Sequence, residues 1–350
     1  MKSGKVSSSG DMLRFILISF LGWRVLLELI ARFTPQYLTK QTMFLGPIPW
    51  ANFDGVHYLS IAERGYVQYE QAFFPLYPVL IRFIGRLFHQ DFVLAAMLIS
   101  HLSFIGSLIF LWKLIPLIPS LPKDKIPSIQ KWTIVFTLAF PTSYYFASVY
   151  TESLFLFLIL ASFYFFQKKR YVFYGIGASI TSGVRLVGSF LLVPVGLFAY
   201  MTYLWKQYGD PLLFMHVQPA FGANRSGSEL VILPQVLWRY LKIFIKVPAR
   251  QYDWWIALFE LFCFILSLLL LWIAWRRKYP RAWVYFSLAS IIVPTLTGTL
   301  SSMPRYVLVA FPLYIVLAQM PKALKIGIFI VSVYLLIIGT LLFTHGYWIA

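Results

Sequence analysis

Acidic side chains are scarce in this 350-residue chain. Twelve Asp and Glu stand against thirty Lys and Arg, and charged residues of both signs make up only 12% of the sequence. The single cysteine, Cys263, lies inside an apolar run. That excludes an internal disulfide and a cysteine metal site, and leaves the redox compartment unread. No P-loop and no Gly-rich phosphate turn occurs, so a nucleotide signature is missing. Internal repeats and low-complexity tracts are absent too. No cluster of His and acids has firm metal-ligand spacing, so no obligatory metal is expected, although a divalent cation held by Asp54 with Glu63 or Glu70 is conceivable.

What the chain has is apolar surface. Hydrophobic residues reach 60% and the mean hydropathy is +0.75. A soluble domain of this length needs far less, so the composition indicates a polytopic, all-α integral membrane protein. The net charge of +18 raises the question of nucleic acid. The basic residues fall in short runs between apolar spans, however, which is positive-inside patterning with lipid headgroup contact. No nucleic-acid partner is expected.

The charge rule orders the chain as one integral membrane domain over 1–350, with about nine spans, in a range of roughly eight to eleven. The first span covers 12–34 and reads as an uncleaved signal anchor with Lys2 and Lys5 in the cytosol. Arg24, Glu28 and Arg32 recur every four residues, so they share one helix face and partly neutralise each other. An external loop over 35–91 carries short interfacial helices, and central spans fill 92–205. Within these, Trp132 to Val149 crosses outward and Ser153 to Phe166 returns to Lys168-Lys169-Arg170. Tyr171 to Trp205 exceeds the roughly 20 residues of one span. The cytosolic Arg276-Arg277-Lys278 favours a single long or broken crossing there. An external interfacial loop follows over 206–253, then C-terminal spans over 254–343. In that loop Arg239, Lys242, Lys246 and Arg250 recur at helical spacing, with Leu237, Leu241, Phe244 and Ile245 on the other side, as in a surface helix with a basic face. Asn224-Arg225-Ser226 is a formal glycosylation sequon, too short a match to place the protein in an ER.

The stretch from Trp50 to Arg82 is the most informative. Asn52 is a plausible N-cap for a short helix on which Asp54, His57, Tyr58 and Ile61 share a face. Asp54 then lies in the first turn, where the helix dipole favours a carboxylate. The run Phe73 to Leu80, interrupted by Pro75 and Pro78, reads as a re-entrant or interfacial segment.

These residues carry a family resemblance. Asp54-Gly55-Val56-His57-Tyr58, then Ile61-Ala62-Glu63-Arg64-Gly65-Tyr66, then Phe73-Phe74-Pro75-Leu76-Tyr77-Pro78, resembles the first-loop signature of PIG-V-like mannosyltransferases, the GPI mannosyltransferase 2 family of GT-C glycosyltransferases. Matching segments follow in the family's order at Tyr150-Thr151-Glu152-Ser153-Leu154-Phe155, Arg185-Leu186-Val187-Gly188, Gly209-Asp210-Pro211, and Ser302-Met303-Pro304-Arg305-Tyr306 with Phe311-Pro312. Phe53 departs from the pattern, where relatives carry Trp before the acid; Trp50 is the nearby indole that offers such a surface. The chain between Arg185 and Gly209 is short against the family, as though a helical hairpin were missing.

The resemblance implies a GT-C helical bundle that moves a hexose, mannose in the family, from a polyprenyl- or dolichyl-phosphate donor to a lipid-linked glycan or GPI-like acceptor, with inversion. Asp54 is the candidate general base. Arg305 and Arg185 are candidates for holding the lipid phosphate, though Arg185 equally suits a structural pairing with Glu152. Glu152 orients the acceptor, holds an Arg or caps its helix. His57 binds acceptor hydroxyls or phosphate, or is a hydrogen-bonded surface histidine. Tyr306 belongs to the substrate-binding set through its motif. Tyr58, Tyr66 and Tyr77 stack on sugars or serve in an interface belt. Asp210 between Gly209 and Pro211 reads as turn chemistry. The active site is expected on the non-cytosolic face of a plasma membrane in a prokaryote, or of the ER in a eukaryote. A polyprenyl-lipid transporter or flippase, a GT-C ligase with another lipid-linked donor, and a non-catalytic scaffold are the rival readings.

Overall fold

A computed structural model describes residues 9–33, 40–41, 45–223 and 225–349. Lys2, Lys5 and the sequon residue Asn224 lie outside the described residues. Among those described, every regular element is an α or 3-10 helix. In chain order the α helices are α1 Ser9–Arg32, α2 Asp54–Arg64, α3 Leu76–Leu87, α4 Phe92–Leu114, α5 Ile126–Ala139, α6 Glu152–Gln167, α7 Tyr171–Ser182, α8 Val195–Tyr208, α9 Leu213–His216, α10 Leu233–Lys246, α11 Tyr252–Arg276, α12 Arg281–Thr295, α13 Met303–Val307, α14 Pro312–Ala318 and α15 Lys322–Thr344.

Three of them are long and apolar enough to cross a membrane: α4 with the 3-10 turn after it, α11 and α15. α6 is apolar but shorter. Two hydroxyls inside these helices are satisfied by their own backbone. Ser162 donates to the Leu158 carbonyl at 2.7 Å and Thr344 to the Thr340 carbonyl at 2.9 Å, so neither leaves a bare polar group in an apolar setting. On α1, Glu28 accepts from Arg24 at 2.9 Å and Arg32 at 3.1 Å, the expected mutual neutralisation.

The helices depart from the hydropathy pattern where proline and packing intervene. Trp132 to Val149 is no continuous span. α5 stops at Ala139, before Pro141, and a buried 3-10 turn, Ser143–Ala147, follows. The 14 residues of α5 rise only about 21 Å. The long stretch from Tyr171 is broken, as α7, a 3-10 turn over Leu186–Leu191, and α8 entered through Pro194. Gly188 sits where a Cβ would lie 2.3 Å from the Thr181 carbonyl oxygen, so this tight return demands glycine.

The first loop carries the short helices expected of it, α2 and α3, packed against α4. α3 begins after Pro75, and Pro78 falls in its first turn, where a missing N–H costs nothing; the proline interruption is therefore a helix start. The hydroxyl of buried Tyr77 meets Ser100 at 2.9 Å and locks α3 to α4. Val79, Phe83 and Leu87 form an exposed apolar stripe on its other side. Arg82 donates to the Ala62 and Ile61 carbonyls at 2.6 and 2.9 Å, capping the end of α2. On α10, Val236 and Tyr240 are buried while Leu237, Trp238, Leu241 and Ile245 face outward. Arg239 departs from the expected basic face and reaches the Gly298 carbonyl at 2.8 Å.

Candidate active site

Asp54 opens α2, but not through the expected cap. The Asn52 side chain is spent elsewhere: its Oδ1 accepts from the Gly46 N–H and its Nδ2 donates to the Phe343 carbonyl, both at 3.0 Å. Phe53 takes the cap position without a side-chain cap bond, at φ +57 and ψ −115. A bulky residue with positive φ is strained, and such strain collects at functional sites. The Phe53 ring packs on Phe343 and, edge to face at 5.2 Å, on Trp348. The expected indole, Trp50, turns the other way. It is buried, donates to Glu28 at 3.2 Å and lies under Arg24. Trp348 is the indole beside Phe53.

The Asp54 carboxylate meets Arg305 from α13: Oδ2 accepts from Nη1 at 2.5 Å. The Asp54 side chain keeps 19% of its surface exposed, while that of Arg305 keeps 8%. The ion pair is thus buried on the arginine side and open on the carboxylate side. Burial works against the Arg305 charge, and the neighbouring carboxylates of Asp54 and Glu152 more than restore it.

Glu152, wholly buried at the start of α6, sits between two arginines. Its Oε1 accepts from Arg185 and lies 3.4 Å from Arg305 Nε. Arg185 also donates to the Thr151 hydroxyl at 2.8 Å. Of the options for Glu152, holding arginines is the one built here. Two acids and two guanidiniums therefore form one chain of opposite charges, Asp54–Arg305–Glu152–Arg185. The Tyr145, Tyr150, Tyr306 and Trp348 rings surround the Arg305 guanidinium at 5.6 to 5.9 Å. Tyr145 and Tyr150 are fully buried, whereas Tyr306 and Trp348 are partly exposed.

One turn along α2, His57 stacks on Phe73 at 4.9 Å and meets the edge of Phe221. Its Nδ1 lies 3.4 Å from Glu70, a buried carboxylate that also accepts from the Ser60 hydroxyl at 2.7 Å and the Val67 N–H at 3.1 Å. Burial raises the Glu70 pKa, but those donors outweigh it and hold the carboxyl below its ordinary value. Tyr58 and Tyr77 are buried, their rings edge to face at 5.1 Å, which places them in the packing rather than on a sugar-facing surface. Burial, with the Asp54 charge nearby, pushes the Tyr58 phenol well up. Tyr66 donates to the Phe73 carbonyl at 2.7 Å. Asp210 accepts from the Leu212 N–H at 2.9 Å, the turn bond expected of it, and pairs with His216 away from the charge chain.

Asp54, Glu152, Arg185, Arg305 and Tyr306 thus come together from segments far apart in sequence, and His57 borders them. Sequence reasoning offered Glu70 only as a partner of Asp54 in holding a cation, not as the partner of His57, and missed Trp348 and the rings of Tyr145 and Tyr150. An aromatic-rich chain hides such rings, and only Glu70, an acid close after His57, carried a signal.

The mannosyltransferase (PIG-V) family model matches residues 36–210, half of the chain. The chain belongs to that family. It is accordingly a membrane mannosyltransferase by family, and Asp54, His57, Tyr58, Glu152 and Arg185 fall inside the matched half. Arg305, Tyr306 and Trp348 lie beyond it, so the charge chain is completed from outside the family match. No curated protein and no solved structure matches the chain.

Proposed function

We propose that this mannosyltransferase moves mannose from a polyprenyl-phosphate donor to a hydroxyl of a glycolipid acceptor, with inversion, using Asp54 as general base. The observation that carries the reading is the partly open Asp54 carboxylate clamped by a buried arginine. Oδ2 is fixed by Arg305, and the Asp54 side chain keeps 19% of its surface exposed, within reach of an acceptor. The acceptor oxygen attacks the anomeric carbon from the side opposite the phosphate. The new C–O bond forms as the bond to phosphate breaks, the phosphate leaves with the electron pair, and the hydroxyl proton passes to Asp54.

The charge chain suits this sequence of events. Before reaction its two acids and two guanidiniums balance. When Asp54 takes the proton, one negative charge disappears and Arg305 is left with uncompensated positive charge. The departing phosphate gains one negative charge in the same step. Stabilisation therefore grows as the transition state is reached, in a site where little water screens it. Arg185, tied to Glu152 and 15% exposed, is the second cation within the chain.

The reading includes a bundle of about nine crossings with the site on the non-cytosolic face. It includes no obligatory metal, since guanidinium groups already pair with the Asp54 and Glu152 carboxylates. The direct test is a membrane assay with polyprenyl-phosphate-mannose, with GDP-mannose as comparison. The lipid-linked donor is expected to support transfer, and the Asp54→Asn variant to lose it. Full turnover in that variant removes Asp54 from the role.

A further inference from the structure

A carboxylate inside an apolar span is costly and is kept where something needs it. Glu260 lies about two turns into α11, flanked by Phe259 and Leu261, and is 4% exposed. Both of its oxygens serve one turn of chain. Oε1 accepts from the Ser302 N–H at 3.2 Å, and Oε2 accepts the Tyr240 hydroxyl from α10. The same Tyr240 oxygen accepts from the Leu300 N–H at 3.2 Å. Beside it on α10, Arg239 holds the Gly298 carbonyl. The turn before α13 is therefore gripped from two helices at Gly298, Leu300 and Ser302.

That turn sets Arg305. Ser302 is left-handed, at φ +69 and ψ 12, a conformation unfavourable for a residue with a side chain. Its carbonyl accepts the Arg305 N–H at 3.0 Å. Release of Ser302 from its strained state would let the first turn of α13 relax, and Arg305 would move from Asp54.

We infer that Glu260 and Tyr240 are positioning residues: they hold the 300–302 turn so that Arg305 stays against Asp54. The meaning of this for catalysis rests on the proposed function; the grip itself does not. A carboxylate is required because it accepts through both oxygens. Glutamine has one acceptor oxygen and must turn its NH2 toward another donor. Phenylalanine at 240 removes the oxygen that joins Glu260 to Leu300 while keeping the ring.

Two measurements on the full chain in lipid nanodiscs test this. Amide hydrogen exchange over 298–306 should rise about tenfold or more in Glu260→Gln and in Tyr240→Phe. Leu269→Ala, on the exposed side of the same helix, should leave that segment at the wild-type rate. With polyprenyl-phosphate-mannose as donor, kcat should fall about 10- to 100-fold in both variants, with KM held within about twofold. In an Arg305→Lys background the same changes should add little further loss, which a general weakening of the fold would not reproduce. Wild-type exchange over 298–306 in both variants overturns the grip. Raised exchange with unchanged kcat overturns its role in positioning. If the wild type itself transfers nothing from the donor, the proposed function fails, and exchange alone still decides the grip.

Discussion

Asp54 and Arg305 are 251 residues apart in the chain and 2.5 Å apart in space. The contact joins the start of α2 in the first loop to α13, and it makes a single carboxylate both fixed and reachable. Asp54→Asn keeps the volume and a hydrogen bond to Arg305 but cannot take a proton. Turnover with polyprenyl-phosphate-mannose is expected to fall about 10²–10⁴-fold, the usual share of a general base. KM for the donor should move far less, because Asp54 acts on the acceptor proton. Steady-state kinetics in membranes reads both.

Removing Arg305 should harm the fold as well as the reaction. Arg305→Met leaves Glu152 buried with only Arg185, and Asp54 without its clamp. Breaking a buried pair by deleting one partner costs about 3–5 kcal/mol. Neutralising the stranded acid, by adding Glu152→Gln, should return part of that loss. Thermal unfolding in detergent measures the recovery. A double variant as unstable as the sum of its singles would show that Glu152 and Arg305 do not act as a unit.

Glu70 makes the first loop sensitive to acid. Donors from His57, Ser60 and Val67 hold its pKa below the ordinary value against the pull of burial. A lowered carboxyl stabilises the folded loop fully above the ordinary carboxylate range, and that stability is lost as pH falls through the folded pKa. Protection of the Val67 amide should therefore drop on acidification below that range. In Glu70→Gln the pH step should vanish and the loop should be looser at neutral pH. Hydrogen exchange at several pH values follows it, and an unchanged step in the variant would assign it to another group.

Much of the site was legible as residues and little of it as contacts. Asp54, Arg185 and Arg305 stand out because a charge beside or within apolar sequence needs a reason, and motif order grouped them. The chain of pairings could not be read, since Glu152 suited a cap, an acceptor contact and an ion pair alike until Arg185 and Arg305 were found on both sides of it. Asn52 looked like a helix cap because its residue type fits; a backbone carbonyl 291 residues away outbid the local role. Hydropathy found α4, α11 and α15 but ran past Pro141 and Pro194, where the chain turns. Glu260 had its own signal, a lone acid in an apolar helix, and Trp348 had none among so many aromatics.

Trp348 carries the last prediction. Its ring stands 5.9 Å from the Arg305 guanidinium and edge to face with Phe53, the strained residue before Asp54. The Tyr252 hydroxyl holds its carbonyl at 2.7 Å, and the Gln41 N–H holds the His345 carbonyl at 2.9 Å, so the segment is tied down on both sides of the ring. Such a ring adds cation–π attraction to Arg305 and aromatic packing on Phe53. Together these are worth about 1–3 kcal/mol in a partly desolvated setting. Trp348→Ala should lower thermal stability by that order and reduce kcat, because both Phe53 and Arg305 lose a wall. Trp348→Phe, which keeps a ring against Phe53, should recover more than half of each loss. Equal damage from Ala and Phe would mean that the indole N–H or its full breadth matters, and wild-type behaviour of both variants would remove Trp348 from the support of the ion pair.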